Sequence, residues 1–438
     1  MTELNFVVEP SGALRGRLRV PGDKSISHRA IMLGALADGA TTISGFLEGE
    51  DCLATLRAFR AMGVRIEGPE SGQVTVHGVG LHGLHPPTEV LDMGNSGTSM
   101  RLMAGILAGQ TFDSTLMGDA SLMRRPMGRV TTPLAQMGAQ IDSAVQGTAP
   151  LRIRGGQRLI GIDYPLPVAS AQVKSCLLLA GLYAQGVTRI TEPAPTRDHT
   201  ERMLEAFGYP LQRDNERTVA LAGGGRLLGA EIDVPADLSS AAFFLVGASI
   251  APGSDLVLEH VGLNLTRSGV IDILRLMGAD IEVLEPRLAG TEPVADLRVR
   301  YAPLRGLRIP AAFAPLAIDE LPALFVAAAC AEGETVFAGA EELRVKESDR
   351  IQAMADGLTA LGITAQPLPD GIIIQGGDLA GGLIDSHGDH RIAMSFSVAA
   401  LRAAGPIRVC DCANVNTSFP DFVSLSRSVG LAITELSK

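Results

Sequence analysis

A short phrase recurs six times along this chain: an alanine- and leucine-rich run, a glycine, then a stretch rich in β-formers. It reads ALADGATTISGF, ILAGQTFDSTLMG, LYAQGVTRITEP, SIAPGSDLVLEH, ACAEGETVFAGA and LRAAGPIRVCDC, centred on Gly39, Gly109, Gly186, Gly253, Gly333 and Gly405. A second phrase keeps register with it (LRAFRAMGVRI, LAQMGAQI, LEAFGYPL, LRLMGADI, LTALGITA, SRSVGLAI), around Gly63, Gly138, Gly208, Gly278, Gly362 and Gly430. Repetition at a near-constant period marks an architecture assembled from one supersecondary unit. Each glycine is expected where a helix stops and a strand begins, because glycine takes the left-handed conformation there without steric cost.

Each unit then holds two helices and several strands. The first helix (AIMLGALA, SCLLLAGLYA, SAAFFLVGAS, ALFVAAAC) is apolar nearly all round and is predicted to be buried, whereas the second is amphipathic and covers a face. The chain has 438 residues, 46% of them hydrophobic, enough for more than one core. Six units stacked as an open solenoid would need polar caps, and no unit reads as one. The expectation is an α/β (α+β) fold of two domains with three repeats each: residues 22–236, and residues 1–21 plus 237–438, with a hinge near Pro21 and Pro235.

A net charge of -11, only 4% aromatic residues and no tryptophan argue against a nucleic-acid surface, which needs a basic stripe and stacking rings. Cys52, Cys176, Cys330, Cys410 and Cys412 form no CxxC pair and read as free thiols of a reducing compartment. The start, MTELNFVVEP, lacks a basic-then-apolar signal, and apolar runs such as Cys176 to Ala184 fall short of the ~20 residues of a membrane span. A cytoplasmic, soluble monomer without membrane or nucleic-acid partners is the expectation.

The starts of the six buried helices carry polar clusters: Lys24, Ser25 and Arg29; Asn95, Gly97, Thr98 and Arg101; Ser170, Gln172 and Lys174; Asp237, Ser239 and Ser240; Asp319 and Glu320; Asp389, His390 and Arg391. Serine, asparagine and aspartate there are ordinary caps. Lysine and arginine are not, because a helix N-terminus already bears partial positive charge. Helix starts that add cations to their own dipoles make an anion site. Arg124, Arg125 and Arg129 surround Pro126 in a loop, Arg197 precedes another helix, and Lys346, Glu347, Asp349 and Arg350 are read as the start of an amphipathic helix, with Ser348 as the competing cap. The HGDH stretch at His387 to His390 has no further ligand cluster to complete a metal site, Gly223 to Gly225 reads as a turn, and Cys410 and Cys412 read as packing residues along a strand.

Eight motifs in order, PGDKSISHRA, GNSGTSMR, RRPMGR, SAQVKS, IDELP, RVKESDR, DHRIAM and TSFPDF, span almost the whole chain and resemble those of the 5-enolpyruvylshikimate-3-phosphate synthase family of enolpyruvyl transferases. The resemblance implies a two-domain inside-out α/β barrel, each domain three βαβαββ repeats around buried helices, with the active site in the interdomain cleft. It implies transfer of the enolpyruvyl group of phosphoenolpyruvate to the 5-hydroxyl of shikimate 3-phosphate, releasing phosphate, in the shikimate pathway to chorismate and the aromatic amino acids. By the same resemblance Lys24, Ser25, Arg29, Ser170, Ala171, Gln172, Arg197, Asp319 and Lys346 hold shikimate 3-phosphate. Lys24, Gly97, Arg125, Gln172, Arg350 and Arg391 hold phosphoenolpyruvate. The catalytic residues are Asp319, which takes the hydroxyl proton, Glu347, which protonates the methylene carbon, and Lys24. No cofactor and no metal are implied, since a C–O bond rather than a P–O bond is broken.

Three positions depart from the commonest family pattern: Ala171 replaces a second serine, Leu102 a proline, and Thr417 a phosphoenolpyruvate-binding lysine. These resemble a glyphosate-tolerant branch, whereas Gly97 resembles the sensitive type. The alternative is the sister enzyme acting on UDP-N-acetylglucosamine, which carries a reactive cysteine in the loop matching Gly118 to Arg125; here that loop reads GDASLMRR. A non-catalytic anion-binding scaffold is a third reading, opposed by the presence of both Asp319 and Glu347.

Overall fold

The computed structural model describes residues 4–437. They form a mixed α/β protein whose helices, in chain order, are α1 (Lys24–Leu36), α2 (Glu50–Ala61), α3 (Gly97–Ala108), α4 (Gly128–Gln136), α5 (Ala171–Gly181), α6 (His199–Ala206), α7 (Leu238–Ile250), α8 (Gly269–Leu276), α9 (Ala314–Ala317), α10 (Leu321–Ala329), α11 (Arg350–Ala360), α12 (His390–Ala399) and α13 (Phe422–Ser428). Contacts divide the chain into two compact units. The N-terminal unit is Gly22–Val234 with Ala289–Thr291; the C-terminal unit is Pro235–Leu288 and the chain from Glu292 onward, together with the residues preceding Gly22. Each unit has an apolar core of its own. No helix among the described residues is long and apolar enough to cross a membrane.

Three sheets belong to each unit, and they share a plan. Leu91–Asp92 and Ser114–Met117, the strands before and after α3, pair in parallel, and Leu151–Arg154 and Gln140–Asp142 add antiparallel neighbours. Asp163–Pro165, Val187–Thr191, Thr218–Ala222 and Gln212–Asn215 repeat this around α5 in the sequence. The unit's last strand, Glu231–Asp233, returns to pair in parallel with Asp38–Ser44 and so completes its first sheet. In the C-terminal unit Leu4–Val8 lies antiparallel to both Ile407–Cys410 and Ile433–Ser437. Those backbone hydrogen bonds fold the first strand with the end of the chain rather than with the residues that follow it.

Residues of the first phrase build the interior. All of α7 and α10 is buried, and only Lys24 and Ser25 of α1 reach partial exposure. The second phrase covers faces, as in α8, where Val270, Ile271, Ile273 and Leu274 are inward. Its six glycines all have positive φ, from 74° at Gly208 to 114° at Gly430, and each follows the C-cap of its helix. At the first of them Gly63 N donates to Arg60 O and Val64 N to Phe59 O, the pair of bonds that closes a Schellman motif. The first-phrase glycines differ from expectation. Gly39, Gly186, Gly253 and Gly333 have positive φ but lie beyond the C-cap, at or just before the strand; Gly109 has φ -88° and sits where a Cβ would be 2.2 Å from the Tyr183 ring. Close packing rather than backbone conformation fixes glycine there, and Gly405 has no left-handed backbone either.

Candidate functional site

In the N-terminal unit the first turns of three buried helices hold one another. Arg29, in the second turn of α1, donates from Nη2 to Ser175 Oγ of α5 at 2.8 Å and from Nε to Thr200 Oγ1 of α6 at 2.6 Å. Arg101 of α3 donates from Nη1 to Gln172 Oε1 of α5 at 2.7 Å, and Gln172 Nε2 donates to Thr98 Oγ1 at 3.1 Å. The N-termini of α1, α3 and α5 therefore gather at one end of the unit, where the caps Asp23, Ser96 and Ser170 satisfy backbone N–H groups. Lys24, Ser25, Ser170, Ala171, Gln172 and Arg197 are there partly exposed.

The cations of this cluster have distinct environments. Lys24 Nζ lies 3.0 Å from Asp51 Oδ2, in the first turn of α2, so the ammonium is oriented while remaining partly exposed. Arg125 donates from Nη2 to Asn95 Oδ1 at 2.8 Å, which ties the arginine loop to the start of α3. Gly97 opens α3: a Cβ would lie 2.9 Å from Arg101 Nη1 and 3.3 Å from Arg125 Nη1, so glycine leaves room for two guanidinium groups over a helix N-terminus. A cleft of about 280 Å³ lies beside Ser170, bounded by Arg129, Thr132, Tyr164 and Val168. Arg124 and Arg129 themselves are exposed.

One expectation is corrected here. Lys174 does not offer its charge to a ligand: it is 2% exposed and its Nζ lies 2.8 Å from Glu192 Oε2 and 2.7 Å from Glu201 Oε1. Arg29 is also buried, 4% exposed, with its Nη1 bonded to Ser25 O at 2.8 Å besides the two hydroxyls above.

His28 lies on α1 between Lys24 and Arg29. Its Nδ1 is 2.8 Å from Thr55 Oγ1, which is in turn 2.7 Å from Ser99 Oγ, linking α1, α2 and α3. Burial, reinforced by Lys24 and Arg29, holds the imidazole pKa well below the ordinary value, so the ring is neutral at pH 7. An imidazole depressed in the folded state costs stability once the unfolded chain takes up its proton. Folding should therefore lose about 1.4 kcal/mol per pH unit below ~6.5 through this residue, until the folded value is reached. Urea titrations at pH 7 and 5.5 should show a steeper loss for the parent than for His28→Asn; parallel losses would exclude a buried neutral imidazole.

In the C-terminal unit the centre is Arg350, the first residue of α11 and 1% exposed. Its Nε lies 2.8 Å from Asp389 Oδ2, its Nη2 2.5 Å from Glu347 Oε2 and its Nη1 3.6 Å from Asp319 Oδ1. Burial alone would lower the guanidinium pKa, but Asp389 and Glu347 outweigh it and raise it. Lys346 Nζ stands 3.4 Å from Asp319 Oδ1, and Arg391 Nη1 donates to Asp319 O at 2.6 Å. Asp389 caps α12 by accepting from Arg391 N at 2.9 Å, and accepts from Ser348 Oγ at 3.0 Å. Asp319, Lys346, Glu347, Arg350 and Arg391 thus form one cluster in which Asp319, Lys346 and Glu347 keep partial exposure.

The cap of α11 also differs from expectation. Asp349, not Ser348, accepts from Gln352 N, and Lys346 and Glu347 precede the helix rather than open it. A carboxylate outcompetes the hydroxyl because it accepts more strongly and suits the positive end of the dipole. Glu320 likewise points inward, accepting from Ser239 Oγ, and Arg267 reaches Asp237 Oδ1 at 3.0 Å and Ser239 Oγ at 2.6 Å. Asp51, Thr200, Glu192, Glu201 and Arg267 escape sequence reasoning, since their partners lie from 18 to 171 residues away. Cys412 sits past the strand Ile407–Cys410 rather than on it, and burial pushes the thiols of Cys176, Cys330 and Cys412 up to about 12.

The EPSP synthase (3-phosphoshikimate 1-carboxyvinyltransferase) family pattern matches residues 8–425. The chain belongs to the EPSP synthase family. Its relatives include the 3-phosphoshikimate 1-carboxyvinyltransferases of Alkalilimnicola ehrlichii, 71% identical over 98% of this chain and 97% of that one, and of Methylococcus capsulatus, 70% identical over 98% of each. The EPSP synthase of Acinetobacter baumannii, solved at 2.37 Å, is 58% identical, with a TM-score of 0.89 covering 99% of this chain and 100% of that one. EPSP synthase membership thus rests on nearly the full length of the chain, including both polar clusters.

Proposed function

We infer that this protein transfers the enolpyruvyl group of phosphoenolpyruvate to the 5-hydroxyl of shikimate 3-phosphate, giving 5-enolpyruvylshikimate 3-phosphate and phosphate. The observation that carries the reading is the pair of partly exposed carboxylates, Asp319 and Glu347, set beside the buried Arg350 and the cations Lys346 and Arg391. Proton donor and acceptor for an addition–elimination stand there among groups suited to phosphate and carboxylate.

In this reading the N-terminal cluster contributes Lys24, Ser25, Arg29, Ser170, Ala171, Gln172 and Arg197 to shikimate 3-phosphate, with Asp319 and Lys346 from the C-terminal cluster. Lys24, Gly97, Arg125 and Gln172, with Arg350 and Arg391, take phosphoenolpyruvate. Each unit then corresponds to an inside-out α/β barrel domain of three βαβαββ repeats, with the boundary near Pro21 and Pro235.

The chemistry balances as follows. The 5-hydroxyl oxygen bonds to C2 of phosphoenolpyruvate while its proton passes to Asp319, and C3 takes a proton from Glu347, giving a tetrahedral ketal. The C2–O bond to phosphate then breaks and the new methyl returns a proton to the Glu347 carboxylate, restoring a vinyl group. Lys346 Nζ and Arg350 Nη1 stand 3.4 and 3.6 Å from Asp319 Oδ1, the atom assigned to take the hydroxyl proton. Glu347 is held as an ion pair by Arg350; a substrate anion taking over that guanidinium leaves the carboxyl able to carry a proton. Lys24, Arg125 and the helix starts offset charge on the departing phosphate.

Phosphate release by the purified protein tests the function. With phosphoenolpyruvate present, shikimate 3-phosphate should support turnover and UDP-N-acetylglucosamine should not. Turnover with the nucleotide sugar alone would transfer the reading to the sister activity, and release with neither would leave an anion-binding scaffold.

A further inference from the structure

Lys174, Glu192 and Glu201 form a buried charged triad, 2%, 4% and 2% exposed, that the chemistry above does not use. One ammonium faces two carboxylates there, and Glu201 Oε2 is buried without a hydrogen-bond partner. Burying such a group is costly, and hydrophobic residues of similar volume would serve packing alone at least as well. Its placement points to what it does. Glu192 follows the strand Val187–Thr191, Glu201 is in the first turn of α6, and between them runs the loop that carries Arg197. Lys174 Nζ holds both flanks of that loop and also donates to the carbonyl of Thr196 at 3.4 Å, while the Thr196 hydroxyl donates to Glu192 Oε1. Thr196 immediately precedes Arg197, and Lys174 is two residues beyond Gln172 on α5.

We propose that the Lys174–Glu192–Glu201 triad is a positioning device that fixes the loop bearing Arg197 against the start of α5, and so sets the affinity for shikimate 3-phosphate. This rests on the assignment of Arg197 to that substrate. Lys174 acts through Thr196 and Arg197 and touches no substrate itself.

Lys174→Met alone strands two buried carboxylates and can unfold the protein. The test therefore uses the neutral triple variant Lys174→Met/Glu192→Gln/Glu201→Gln and, independently, Thr196→Val, each with and without Arg197→Ala. Shikimate 3-phosphate is titrated calorimetrically into the full chain, with thermal melting as the check on folding. The triple variant should bind at least tenfold more weakly than the parent and Thr196→Val several-fold more weakly, each melting as one cooperative transition. In the Arg197→Ala background both losses should shrink to less than twofold, because the residue they position is gone. Affinity within twofold of the parent in Thr196→Val or in a folded triple variant overturns the proposal. So do losses of the same size with and without Arg197, which would mark general damage to the fold. A parent that binds no shikimate 3-phosphate instead overturns the functional reading itself.

Discussion

Replacing Glu347 with glutamine should lower turnover by about 10²–10⁴-fold while shikimate 3-phosphate still binds, because a positioned general acid is worth about that much. Glutamine keeps the shape of the side chain and can still accept from Arg350, whose Nη2 lies 2.5 Å from Glu347 Oε2, but it has no proton to give to C3. The loss should appear in kcat, with the affinity for shikimate 3-phosphate changed little. Lys24→Ala should differ, since it removes an ammonium assigned to both substrates and should raise both KM values. Steady-state kinetics with phosphate release separates the two patterns. Parent-like turnover in Glu347→Gln, or a loss confined to KM, would leave the residues from Lys346 to Arg350 as an anion clamp without a proton-transfer role.

The second large effect concerns stability. Arg350→Met should cost about 3–5 kcal/mol, the usual consequence of removing one partner of a buried ion pair. Asp389 is 0% exposed and depends on Arg350 through bonds of 2.8 and 3.2 Å. Burial pushes the Asp389 carboxyl up, and the guanidinium outweighs it and holds it below the usual carboxylate value. A carboxyl depressed in the folded state adds stability above its unfolded pKa of ~3.9, and that contribution is lost as pH falls through the folded value. Without Arg350 burial raises the Asp389 pKa instead, so the deficit of the variant should narrow towards acid pH as Asp389 takes up a proton. Chemical denaturation at pH 7 and pH 5 measures both, and Arg350→Met/Asp389→Asn should recover part of the loss. A deficit below 1 kcal/mol at pH 7 would mean that this pair is not what holds the starts of α11 and α12.

The repeat was legible because glycine leaves a signature that side-chain packing does not erase. Every second-phrase glycine, from Gly63 to Gly430, follows its helix at the position where a left-handed residue is required. The first phrase is less regular because its glycines answer to different needs, such as the Tyr183 ring against Gly109. The cations at helix starts stood out in the sequence, yet the sequence could not tell a partly exposed cation from a buried and paired one. Lys24 and Lys174 look alike in sequence. What separates them is Asp51 beside a partly exposed ammonium in one case, and two buried glutamates, 18 and 27 residues further along, in the other. Ser348 and Asp349 both stood as candidate caps of α11; the carboxylate takes the cap, and the serine hydroxyl donates instead to Asp389, 41 residues away.

Proton transfer to carbon is the step on which the assignment of Glu347 stands, and deuterium reports it directly. If C3 of phosphoenolpyruvate is protonated to a methyl and then deprotonated, product made by the parent protein in D₂O should carry deuterium in its enolpyruvyl methylene, read by mass spectrometry. Glu347→Gln should form that labelled product at least about 10²-fold more slowly. Unlabelled product from the parent in D₂O would contradict the account, because no ketal with a methyl group could then lie on the path.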